Sequence, residues 1–160
     1  MSRILLTTIA AAFVVCVAGT ASGGSSASHT VTVTVSAINE LAISGGNITL
    51  TIDSATTASG PDDATDSTTC DLLWTTNEAS KKITAETDLA APNFALKVVA
   101  ANVSGGTAAS EVTLSTTAAD FVTGVGTTTG SCDLSYTASA TAPQGTGSDV
   151  HSVLYTITGA

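Results

Sequence analysis

The chain has 160 residues, a formal net charge of −9 and only 11% charged residues. Its length suits one domain once a targeting segment is set aside. With Arg3 removed, Lys81, Lys82 and Lys97 are the only cationic side chains besides the histidines. That speaks against nucleic acid and anionic membrane as partners, because phosphate binding needs a basic face.

Residues 1–27 read as a secretory signal. Arg3 supplies the positive start, Ile4 to Val17 the apolar run, and small residues follow through Gly24. Cleavage fits after Ala21 or after Ala27. The run falls short of the roughly 18–20 residues needed to span a bilayer, although a retained N-terminal anchor is the competing reading. Phe13-Val14-Val15 before Cys16 is a poor lipoprotein signal. The mature chain, 28–160, is therefore expected outside the cell or on its surface, with no membrane insertion after signal removal. No sorting motif or hydrophobic tail follows at the C-terminus.

The first mature segment, His29-Thr30-Val31-Thr32-Val33-Thr34-Val35, alternates strictly, with Val31, Val33 and Val35 on one side. Further strands are expected at Ala37–Ile43 and Asn47–Ile52, then at Cys70–Thr76, Lys81–Thr87, Phe94–Ala101, Glu111–Ser115, Ser131–Thr141 and Val150–Thr158. Ala118–Val122 reads as a short helical turn or a strand continuation. Gly, Pro, Asp and Ser clusters separate these runs, and no helical period is sustained. The pattern predicts an all-β fold, an antiparallel β-sandwich of Ig-like or jelly-roll-like type with about eight or nine strands.

Cys70-Asp71-Leu72-Leu73-Trp74-Thr75 matches Cys132-Asp133-Leu134-Ser135-Tyr136-Thr137. Alternation puts Leu72, Trp74, Leu134 and Tyr136 in the core. Two cysteines left in an exported chain predict a Cys70–Cys132 disulfide. It would close a loop of about 60 residues, worth roughly 4 kcal/mol, and would start both strands at the same end. Two separate buried thiols are the alternative.

Candidate chemistry is sparse. His29 and His151 are the only histidines, and neither sits in a recognisable nucleophile–base arrangement. No cofactor is expected. Asp62, Asp63 and Asp66 form the best candidate for a hard cation such as calcium, but they lack a calcium-loop pattern, and a solvated acidic turn explains them as well. Asn47-Ile48-Thr49 and Asn102-Val103-Ser104 match the N-glycosylation pattern at Asn47 and Asn102.

An export signal, a Val/Thr strand at His29–Val35 and a Thr-rich sandwich ending in a strand together resemble the secreted fibre subunits of prokaryotes. These are the biofilm-matrix proteins of the TasA and camelysin type and the archaeal bundling pilins. The resemblance is architectural and covers nearly the whole mature chain. It implies a structural subunit of an extracellular filament, a homopolymer in which Ser28–Val35 is donated to the next copy. Independently of any family, an edge strand exposes unpaired backbone groups, and an extended segment from a neighbour can satisfy them. The competing readings are that Ser28–Val35 is the first strand of its own sheet, and that the protein is a secreted monomeric adhesin or ligand-binding module.

Overall fold

The computed structural model describes residues 24–160, and the signal-peptide reading falls mostly on residues outside that range. The chain divides into two units, Met1–Thr34 and Val35–Ala160. In the first, residues 24–34 carry neither helix nor strand.

The second unit is an antiparallel β-sandwich. Twelve strands run through the described residues: β1 (Asn39–Gly45), β2 (Ala55–Thr56), β3 (Gly60–Pro61), β4 (Ala64–Asp66), β5 (Cys70–Thr76), β6 (Lys81–Thr87), β7 (Ala95–Ser104), β8 (Thr107–Ala108), β9 (Val112–Thr113), β10 (Ala119–Val125), β11 (Thr128–Ser139) and β12 (Val153–Gly159). One sheet has the order β1-β5-β11-β7-β9, with β4 also pairing β11, and the other has the order β12-β6-β10-β8. β2 and β3 form a separate small hairpin.

The central strands form where alternation is cleanest. β5 buries Cys70, Leu72, Trp74 and Thr76 in strict alternation, and β6 buries Ile83, Ala85 and Thr87. β11 contributes Cys132, Leu134 and Tyr136, and β10 contributes Phe121, Val122 and Val125. Phe121 and Val122 are adjacent yet both buried, because β10 slips its register on β6 between Asp120 and Val122. The two sheets meet in the core through Tyr136 of β11 and Tyr155 of β12, whose hydroxyls are 2.8 Å apart. The Tyr155 ring also tilts against Phe121 with centroids 5.1 Å apart.

Two expected strands do not form. His29–Val35 has no strand assigned. Asn47–Ile52 keeps its alternation, with Ile48 and Leu50 against the core, but pairs with no strand. Gly45, at φ +99°, turns the chain out of β1 just before it, where a Cβ would collide with the Thr69 carbonyl.

The expected Cys70–Cys132 disulfide is absent, and both residues are buried free thiols. Their strands are adjacent and antiparallel in one sheet, so they do not start together at one end. Cys132 lies opposite Leu72. Cys70 is therefore its diagonal neighbour, at a typical Cα separation of about 7–8 Å, whereas a disulfide needs about 4.4–6.8 Å. The Cys70 thiol instead donates to the Gly46 carbonyl at 2.8 Å.

Candidate self-assembly surface

Val31, Val33 and Val35 are 71%, 82% and 73% exposed. A β-branched residue at every second position favours an extended chain with one apolar face. Ser28–Val35 has that form, yet none of its residues belongs to a ladder.

Asn77 fixes the chain immediately after this segment. Its side-chain amide donates to the Ser36 carbonyl at 2.7 Å, and its side-chain oxygen accepts from the Ile38 N–H, also at 2.7 Å. Its backbone N–H donates to the Ile38 carbonyl. One asparagine in the β5–β6 turn thus holds Ser36 to Ile38 in line with β1.

The sandwich has unequal sides. Its long outer strands are β1 and β12, of seven residues each, which approach each other across the two sheets. On the other side the outer strands are β8 and β9, of two residues each. Along the long side the apolar side chains are only half covered: Leu41 on β1, Ile48 and Leu50 after it, and Val153 and Ile157 on β12. Ile43 pairs with buried Leu72 and so faces the core side, but is 49% exposed.

The free backbone groups of β12 follow from its register. The Asp88 N–H donates to the Ser152 carbonyl and the Ala160 N–H to the Ser80 carbonyl. With the pairing Thr156↔Thr84 between them, the even-numbered residues bond to β6. Val153, Tyr155, Ile157 and Gly159 then direct their N–H and C=O groups to the open side.

The remaining candidates lie elsewhere. Leu72, Trp74, Leu134 and Tyr136 are buried on one face of β5 and β11. Asp62 accepts from the Thr56 N–H and hydroxyl, and Asp66 from the Thr68 and Thr69 N–H groups and the Thr69 hydroxyl. The Thr69 bonds hold the Asp66 carboxyl below its usual range. Asp63 is exposed. Among the described residues no group of three or more His, Cys, Asp or Glu is placed to hold a metal. Asn47 and Asn102 are both exposed. Asn102, at φ +50°, sits where β7 slips against β11, and its amide donates to Asp133 at 2.6 Å. His151 Nδ1 lies 3.1 Å from the hydroxyl of Thr87, which is only 2% exposed. That burial denies the hydroxyl to an outside substrate.

Sequence reasoning missed the Asn77 clamp and the open edge of β12. In the sequence, Asn77-Glu78-Ala79-Ser80 carries only a turn signal. The edge had one signal: Val153–Gly159 contains no charge and no proline, the usual devices that protect an outer strand. No protein-family model, curated protein or solved structure matches the chain.

Proposed function

We propose that this protein is an exported structural subunit of an extracellular filament or biofilm matrix, assembling by donation of Ser28–Val35 from each copy to the next. One observation carries the reading. The most regular β-pattern in the mature chain lies outside both sheets, with its three valines exposed. An apolar row with no partner in its own fold is a row made for another surface. Donation from one copy to the next is heterologous, so it propagates instead of closing. The proposal assigns no catalytic step and no cofactor.

The test is electron microscopy of the mature protein beside a form starting at Ser36. The mature protein is expected to form filaments. The shortened form is expected to remain monomeric with an unchanged melting temperature, since it loses no ladder. A mature protein that stays monomeric at high concentration overturns the reading in favour of a monomeric adhesin or ligand-binding module.

A further inference from the structure

We propose that the free edge of β12 is the acceptor, and that its occupant is Ser28–Val35 of a second copy of this chain. This rests on the strand-donation reading and names the receiving surface.

Four features of the molecule single out this edge. Length comes first, since a donor of about eight residues finds no ladder along the two-residue strands β8 and β9. Only β1 and β12 are long enough. Charge then separates these two. β1 carries Glu40, whereas β12 reads Val-Leu-Tyr-Thr-Ile-Thr-Gly without a charge. Ser28–Val35 has no acidic or lysine side chain either. Between acidic copies (the full chain carries −9, and loss of the signal removes Arg3), contact between two uncharged strands brings the fewest like charges together.

Backbone chemistry agrees. Val153, Tyr155, Ile157 and Gly159 leave a row of donors and acceptors open on the side away from β6, spaced as an antiparallel or parallel partner requires. Finally, the core beside this edge is under-filled. Val153 and Ile157 on β12, and Leu41 and Ile43 on β1, face the space between the sheets without full cover. A strand laid along β12 with its valines inward places Val31, Val33 and Val35 over that half-covered row. Its threonines then face outward beside Leu154, Thr156 and Thr158. Exposed Leu154, at 55%, gains a neighbour on the same face.

Such an arrangement explains why an edge of high β-propensity carries no protective lysine or proline. Protection comes from the next subunit. The Asn77 clamp on Ser36 and Ile38 fixes the chain immediately after the donor segment.

Cysteine cross-linking tests the assignment on the mature protein. Thr32→Cys is combined in turn with Leu154→Cys, Thr156→Cys and Thr158→Cys, all exposed positions. The native Cys70 and Cys132 are buried and serve as a silent background. Thr32→Cys with Ala42→Cys, on β1, is the control. Oxidation is expected to give a ladder of covalent multimers with at least one β12 position, abolished by reductant, and none with Ala42→Cys. A ladder only with Ala42→Cys moves the acceptor to β1, overturning this assignment while leaving strand donation intact. Dimers from Thr156→Cys alone show β12 pairing with β12 and also overturn it. A cross-link confined to the monomer, or no cross-link and no filaments, removes strand donation itself.

Discussion

The indole of Trp74 on β5 lies over the backbone of Gly130 on β11. The two residues are direct partners in the ladder. A Cβ on Gly130 would fall within the indole ring's van der Waals envelope and 2.5 Å from the Ser104 carbonyl. Trp74 is 3% exposed, and its Nε1–H is buried without a partner. Gly130 thus makes the space in which the largest side chain of the core lies flat on the sheet.

Gly130→Ala is expected to destabilise the sandwich by about 1–3 kcal/mol through overpacking. Trp74→Ala is expected to cost about 3–5 kcal/mol. In the Trp74→Ala background the part of the Gly130→Ala penalty that comes from the indole should vanish, leaving the part set by the Ser104 carbonyl. Trp74→Phe should cost less than Trp74→Ala, since it keeps more of the buried ring and leaves a smaller cavity, and neither change removes a hydrogen bond. Urea unfolding of the four variants checks this, and additive penalties would show that the contact is not the cause.

The Tyr136–Tyr155 hydroxyl pair joins the two sheets. Removing one hydroxyl leaves the other buried and unpaired, so Tyr136→Phe or Tyr155→Phe is expected to cost about 1–3 kcal/mol. Removing both should cost less than the sum of the single changes. A double-mutant cycle by thermal unfolding measures the difference, and a zero coupling energy contradicts the bond.

Cys70 and Cys132 are expected to be silent to thiol reagents in the folded protein. After unfolding in denaturant without reductant, two thiols per mature chain should react, and fewer would indicate a disulfide. Burial pushes the Cys132 thiol up to about 11 from an ordinary 9.0, and burial also raises Tyr136 and Tyr155. Above pH about 9 the unfolded chain releases protons that the folded chain retains. Stability should therefore fall as pH rises from 9 to 11 and beyond. Urea midpoints across that range check the sign.

Acid should also destabilise the protein, through the surface turns. Hydrogen bonds from Thr69 to Asp66, from the Asn39 amide to Glu78, from the Ser152 N–H to Asp88 and from the Phe94 N–H to Asp149 hold all four carboxyls below their usual values. Their contribution is present above the unfolded values of 3.8 for Asp and 4.5 for Glu. It is lost as pH falls through the lower folded values. Urea midpoints should drop progressively below pH about 4.5. Asp149→Asn should lower the midpoint at pH 7 and approach the parent at pH 2. A constant gap between the two at every pH would show that ionisation of Asp149 is not involved.

Much of the fold is legible in the chain. Cys70–Thr76 and Lys81–Thr87 were readable to the residue, because central strands bury one face completely and so demand unbroken alternation. Short strands such as β4 and β8 were not, since two or three residues carry no period. β11 begins at Thr128, earlier than its apolar residues suggest, because Gly130 looks like a turn residue until Trp74 is seen lying on it.

Ser28–Val35 and Asn47–Ile52 show where local pattern stops. Both alternate as well as any strand in the molecule, and neither has a ladder. The sequence by itself determined which residues would turn one apolar face to a partner, because side-chain direction along an extended chain is set residue by residue. Tertiary structure alone decided which partner each face met: that Cys132 lies opposite Leu72 and not Cys70, that Asn77 reaches back to Ser36, and that β12 keeps one side open. Register and edge position depend on residues dozens of positions apart, and no local period encodes them.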